Sequence, residues 1–357
     1  MDSMQAAGII FVWILISSLI FCSHTVGSRI GLNYGRVADN LPPPDEVAKL
    51  VQSLKVDHVR IFDANAAVLT AFANTGIRLT ICVPNDQIAL IGSDHAAGEA
   101  WIQANVLQYL PSTSITTIAV GNEVLTSGSD NAVIASLVPA MQNIHTALVT
   151  AGLDRFIKVS TSHSLDVLGS RFPPSAASFS SQWSQSIMQP MLDFLSTTGS
   201  FYMLNMYPYL VYQEERSKGV PLDYALIRPS GFFKLDTLNG IRYVSMFDEI
   251  VDAVVSAMAD LGHGELPIVV SETGWPTVGD ESEVGASIEN AVTYNTNLVS
   301  RINQNPPVGT QLKPGMPLQA FIFALFNEDQ KPGPASERNW GLFYPNMAPV
   351  YGIDLTA

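Results

Sequence analysis

Ile115-Thr116-Thr117-Ile118-Ala119-Val120-Gly121-Asn122-Glu123 is a run of β-branched and apolar residues that stops on an amide and an acid. Near-continuous hydrophobicity over so short a span suits a strand buried on both faces, as in an all-parallel sheet. Runs of the same kind recur at Ile30 to Tyr34, His58 to Asp63, Arg78 to Pro84, Ile157 to Ser162, Tyr202 to Tyr207, Pro267 to Ser271 and Leu318 to Phe326. Each is followed by a longer stretch with helical spacing, the mark of βα units. Eight such units predict an α/β chain folded as a (β/α)8 TIM barrel, whose interior is filled by side chains.

The helical stretches carry their own punctuation. Pro44-Asp45-Glu46 opens one, with apolar residues at Val47, Leu50, Val51 and Leu54; proline and acids in a first turn suit its free amides and positive dipole end. Others are expected from about Ala66, Ala97, Ala132, Gln185, Met246 and Gly285. Between Tyr209 and Phe247 lies a long mixed segment with Pro221, Pro229, Gly231 and Gly240. A connection of that length is usually functional, so a small subdomain inserted after strand six and shaping a cleft is predicted.

Residues 1–28 hold an apolar stretch from Gly8 to Ile16, further apolar residues up to Cys22, and small residues at Gly27 and Ser28. That pattern reads as a secretory signal peptide cut after Ser28, although the positive leader is missing. A membrane span is the weaker reading, since about 18 consecutive apolar residues are wanted and Ser17, Ser18, Ser23 and His24 interrupt. Residues 29–357 then form one catalytic domain, secreted to the extracellular space or cell wall, with the vacuole as another destination. The formal charge of −14 repels nucleic acid and anionic membrane surfaces, so a neutral or cationic partner is expected. Of two cysteines, Cys22 lies in the signal and Cys82 in the apolar run Leu79 to Val83, where a lone thiol serves as a core hydrophobe. No Asn-x-Ser/Thr sequon occurs, and Tyr351 to Ala357 show no hydrophobic tail of a lipid-anchor signal.

In such barrels the C-terminal strand ends carry the chemistry. Strand four ends in Val120-Gly121-Asn122-Glu123, and strand seven in Val269-Val270-Ser271-Glu272-Thr273-Gly274-Trp275-Pro276. Paired carboxylates flanking an acetal cleave it: one protonates the leaving oxygen while the other attacks carbon or activates water. A single glutamate at a strand end is more often an ion-pair partner; two at opposite strands of one ring reverse those odds. Glu123, read as the acid, needs burial or a nearby negative charge to keep its proton, and Glu272 supplies that charge if the two are close. Asn122 is placed to bond a sugar hydroxyl, while Trp275, Tyr207, Tyr209 and Tyr212 offer flat faces for pyranose rings. Strand eight closes in Phe326-Asn327-Glu328-Asp329-Gln330-Lys331, where Glu328 and Lys331 can pair at the cleft edge. The histidines are scattered, without HExxH or Cys/His pairing, and no phosphate or dinucleotide loop appears, so neither metal nor cofactor is expected.

Further motifs accompany these: Ile30-Gly31-Leu32-Asn33-Tyr34-Gly35-Arg36 with Asn40-Leu41-Pro42, Val59-Arg60-Ile61-Phe62-Asp63, Tyr207-Pro208-Tyr209 and Gly341-Leu342-Phe343. With them the chain resembles the plant endo-β-1,3-glucanases of glycoside hydrolase family seventeen over essentially all of residues 29–357. The resemblance implies a retaining endo-hydrolase acting on wall β-1,3-glucans, with Glu272 matching the nucleophile and Glu123 the proton donor; a monomer is expected. It further implies Glu328 and Lys331 as supports, and Tyr34, Asn122 and Tyr207 as contacts to sugar. Phe62 stands where many relatives have Tyr, which removes a hydroxyl near the site. Many relatives with the Trp340-Gly341-Leu342-Phe343-Tyr344 ending continue into a Cys-rich glucan-binding module, which is expected either to be lost here or to lie outside this sequence. Two alternatives stay open: a non-catalytic glucan-binding wall protein, and a β-1,3-glucan transglycosylase. Wall remodelling, callose turnover and plant defence are not separated by sequence.

Overall fold

The computed structural model describes residues 28–126 and 128–357. The expected signal therefore lies, apart from Ser28, outside the described residues. Eight parallel strands close into a barrel: β1 (Ile30–Tyr34), β2 (His58–Ile61), β3 (Arg78–Val83), β4 (Ser114–Asn122), β5 (Lys158–His163), β6 (Tyr202–Asn205), β7 (Ile268–Thr273) and β8 (Gln319–Ile322). They follow one another around the ring in chain order, and β8 returns to β1 with Ile30 opposite Ala320. Each coincides with one of the eight apolar runs, because only a strand walled by the barrel interior on one face and by helices on the other needs apolar residues throughout.

Near their C-terminal ends two strands lose regular register. β4 slips against β5 between Ala119 and Asn122, and β7 slips against β6 between Val270 and Glu272. Such irregularities re-aim side chains, and here they immediately precede the two acids.

The helices begin close to where their caps predict. Asn65, Asp94, Asp130 and Ser245 each accept a backbone N–H of the first turn with their side chains. The helix expected from Gly285 begins instead at Ile288, capped by Ser287. Gly285 has φ +93°, outside the right-handed helical region, and its carbonyl accepts the Trp275 indole. A helix at Ile88–Ser93, not expected from the sequence, packs against Asn131–Thr150 with Gly92 against Ser136, where a Cβ would come within 2.6 Å of the Ser136 carbonyl.

The insertion after β6 contains helices Pro208–Glu215 and Leu222–Ala225 and an antiparallel pair, Lys234–Leu235 with Arg242–Tyr243. Only its first helix borders the cleft. The pair docks instead on the excursion that follows β5: Ser175 donates from its amide and hydroxyl to Asp236, and the Lys234 ammonium lies over the Phe172 ring. The subdomain therefore shapes the cleft less than its length suggested.

Candidate active site

A cleft of about 640 Å³ opens at the C-terminal ends of the strands, and Glu123 and Glu272 both line it. Polar residues pointing into the upper barrel bring them together. Arg60, from β2, is fully buried. Its Nη1 donates to Glu272 Oε1 at 2.7 Å and to the Ser271 carbonyl at 3.1 Å, and its Nη2 to Asn122 Oδ1 at 2.7 Å and Ser162 Oγ at 2.9 Å. One guanidinium thus fixes the ends of β4, β5 and β7 together, the kind of planar multidentate donor a lysine cannot replace.

Asn205, at the end of β6, closes the arrangement. Its Nδ2 donates to Glu123 Oε1 at 2.7 Å and to Glu272 Oε1 at 2.8 Å. Those two oxygens are therefore no further apart than the two bonds laid end to end. That limit lies below the about 6.5–9.5 Å between carboxyl groups that leaves room for an intervening water, and is compatible with direct attack on carbon.

The two acids have different surroundings. Glu272, 5 % exposed, receives Arg60 and Asn205 on Oε1 and the Tyr207 hydroxyl on Oε2 at 2.6 Å. Donors alone converge on it, which suits a carboxylate. Glu123 receives only the Asn205 bond, and its carboxyl is pushed up to about 7, first by burial and then by the Glu272 charge. Its backbone holds φ +52°, in the left-handed region, which costs a non-glycine residue about 1–3 kcal/mol. The Glu123 amide donating to the Ser162 carbonyl at 2.9 Å, and the paired bonds between Asn85 and Asn122 at 2.8 and 2.9 Å, hold that turn.

Asn122 lines the cleft with Oδ1 saturated by Arg60, Ser162 and Asn205, which leaves its amide nitrogen as a donor to the cleft. Tyr207 also lines it, edge-on to Trp340 at 4.9 Å, and burial together with Glu272 raises its hydroxyl well above the ordinary range. Glu328 accepts the Val37 amide at 2.8 Å, tying the β8 and β1 loops, and its carboxyl is raised by burial against the opposing pull of Lys331. The Lys331 ammonium stands 3.8 Å from Glu328 and 4.0 Å over the Phe323 ring. Gly35 is required beside this pair, because a Cβ there would meet the Glu328 carboxylate at 2.5 Å.

Two expected sugar contacts lie elsewhere. Trp275 is fully buried between Tyr209 and Tyr294 with its indole N–H bonded to Gly285, so its faces are spent in the core. Tyr34 packs edge-on against Phe326 and does not line the cleft. Tyr209 and Tyr212 are buried as well. Trp340, Phe323 and Phe62 are the aromatic residues that line the cleft beside Tyr207. The residues missed from sequence had a readable signal: Arg60 lies within and Asn205 at the end of a short buried strand, where a polar group is tolerated only when it is bonded.

The model of glycosyl hydrolases family 17 matches residues 30–355. The chain belongs to that family. Among curated relatives, glucan endo-1,3-beta-glucosidase 12 of Arabidopsis thaliana is 46% identical over 352 residues, covering 99% of this chain and 64% of that protein. Glucan endo-1,3-beta-glucosidase 3 of the same plant is 45% identical, covering 99% and 69%. The family 17 chain thus spans about two thirds of their length. Among solved structures, CJP38, a beta-1,3-glucanase and allergen of Cryptomeria japonica pollen, superposes with a TM-score of 0.85 at 42% identity, covering 91% of this chain and 98% of that one. A plant beta-glucan endohydrolase superposes at 0.82 with 38% identity, covering 91% and 99%. A family 17 beta-1,3-glucanosyltransferase from Rhizomucor miehei, 19% identical with a TM-score of 0.55, shares the fold.

Proposed function

We propose that this family 17 chain is a retaining endo-hydrolase of β-1,3-glucan, with Glu272 as nucleophile and Glu123 as acid and base. The observation that carries the reading is the Asn205 bridge, which ties one oxygen of each carboxyl to the same nitrogen and so keeps the two groups closer than a water-mediated mechanism needs. Glu272 attacks the anomeric carbon while Glu123 gives its proton to the departing glycosidic oxygen, leaving a glycosyl ester on Glu272. Ester formation removes the negative charge that helps Glu123 keep its proton. Glu123 is then the base that takes a proton from water as that water attacks the same carbon and frees Glu272.

Around this cycle Arg60 and Tyr207 position the nucleophile, and the Asn122 amide is free to donate to the hydroxyl beside the reacting carbon. Trp340 and Phe323 present apolar surface to the pyranose rings, and Glu328 with Lys331 holds the cleft edge. The two-carboxyl cycle is complete without a cofactor. The same reading has residues 1–28 as a secretory signal, residues 29–357 as the catalytic domain, and a monomer that meets its neutral polysaccharide outside the cell, in the wall or in the vacuole. Digestion of laminarin, followed by reducing ends and by NMR of the first-formed anomer, tests it. Mixed-length oligosaccharides with the β anomer formed first are expected; no reducing ends from folded protein, or an α anomer first, would overturn it.

A further inference from the structure

Asn205 is buried at the end of β6, and its amide is held in one orientation. Its Oδ1 accepts the Ser271 hydroxyl at 2.8 Å and Arg60 Nη1 at 3.3 Å. Turning the amide over would set its N–H groups against the Arg60 donor and its oxygen against two carboxyls. The nitrogen therefore stays on the side of the acids, where three oxygens lie within reach: Glu123 Oε1 at 2.7 Å, Glu272 Oε1 at 2.8 Å and Asn122 Oδ1 at 3.1 Å. An amide nitrogen has two hydrogens. Three acceptors compete for them, and the outcome depends on which oxygens are charged, because a hydrogen bond to an ionised acceptor is about twice as strong as one to a neutral acceptor.

Those charges change during the proposed cycle. In the free enzyme Glu272 is the carboxylate and Glu123 the acid, so the bond to Glu272 is the strong one. Once the glycosyl ester has formed and Glu123 has given its proton to the leaving oxygen, Glu272 is neutral and Glu123 is the carboxylate. Asn122 Oδ1 is a poor competitor for the released hydrogen, since Arg60 Nη2 and the Ser162 hydroxyl already supply it. The other charged or titratable groups around Glu123 are Arg60, Tyr207 and Asp166, and none of them donates to it. Among the described residues Asn205 is thus the only side-chain donor that the new carboxylate has. We propose that Asn205, held by Ser271, is a positioning residue that moves its strong hydrogen bond from Glu272 to Glu123 when the ester forms, which keeps Glu123 ionised as the base for the second step. This rests on the double-displacement reading above and deepens it: one side chain adjusts the same carboxyl to opposite tasks in the two half-reactions.

The test isolates the two half-reactions with 2,4-dinitrophenyl 2-deoxy-2-fluoro-β-laminaribioside. Its leaving group needs no proton, so dinitrophenolate release reports ester formation, and mass spectrometry of the protein follows the ester as it is hydrolysed. Wild type, Asn205→Ala and Ser271→Ala are compared across the acidic to neutral range. For Asn205→Ala, ester formation is expected within about threefold of wild type, while hydrolysis on the acidic limb slows by about tenfold to hundredfold, the weight of one hydrogen bond to a charged group. At the alkaline end, where Glu123 is ionised without help, the two hydrolysis rates should converge. Ser271→Ala keeps the amide but frees it to turn, so the same change by a smaller factor is expected, and it carries the test if Asn205→Ala does not fold. Hydrolysis slowed equally at every pH, or not at all, overturns the switch and leaves double displacement standing. Dinitrophenolate release by wild type with no ester on the protein overturns both.

Discussion

Two buried clusters of charge stand in this molecule and do different things. At the barrel mouth Arg60 meets Glu272 at 2.7 Å; under the β6 insertion Lys234 meets Glu215 at 2.5 Å and Glu249 at 2.9 Å, with the Tyr224 hydroxyl on Glu249 at 2.6 Å. Both hold a carboxyl raised by burial: Glu123 in the first, Glu249 in the second. A displaced pKa therefore does not mark the active site here. The mouth differs in three physical respects. It opens on a cleft, one carboxyl has an oxygen free of protein donors, and its backbone is held in a left-handed turn. The insertion cluster is closed over by Phe172 and Tyr224, with the Lys234 ammonium 5.1 and 5.7 Å from their rings, and ties the hairpin to the helix Met246–Asp260.

Substitutions sharpen that contrast. Glu272→Gln should lower kcat by about 10⁴-fold or more while circular dichroism stays native, because the amide oxygen still accepts from Arg60; unfolding instead would make the mouth cluster structural. Glu123→Gln should cost about 10²–10⁴-fold in kcat, measured on laminarin. Lys234→Met should do the reverse: it leaves two buried carboxylates facing each other and costs about 3 kcal/mol of stability in denaturant melts, with kcat on laminarin close to wild type. A loss of turnover in folded Lys234→Met would erase the distinction between the clusters.

Dependence on pH separates them more finely. In the proposed cycle Glu123 acts in its protonated form, so kcat/KM should decline as pH rises through about 7. The same group weakens the fold over that interval. Its folded pKa exceeds the unfolded value of 4.5, so the native state binds the extra proton and stability drops as pH climbs from the unfolded to the folded value. Glu123→Gln should accordingly melt higher than wild type at pH 8 and show little difference at pH 4. Equal melting at both would mean that burial does not act on Glu123 as described.

Much of the candidate site was legible because its acids end apolar runs. Val120-Gly121-Asn122-Glu123 and Val270-Ser271-Glu272 show where strands leave the barrel, and position on a strand end needs no long-range information. Trp275 and Tyr34 were misplaced for the opposite reason. Both follow or end a strand as the acids do, and which way an aromatic ring turns depends on neighbours such as Tyr294 and Phe326 that arrive from distant parts of the chain. Asn205 and Arg60 were overlooked because their importance is relational: an amide in an apolar strand acquires a role only when two carboxyls stand at its nitrogen.

By itself the sequence determined the barrel, since eight runs of doubly buried strand admit few other closures, and it set which two acids terminate facing strands. Only the tertiary structure decided how closely they approach, the different surroundings of each and the path of the cleft. Those depend on register slips in β4 and β7, on one arginine reaching three strand ends, and on how much water each carboxyl loses, all of them properties of contacts between residues far apart in the chain.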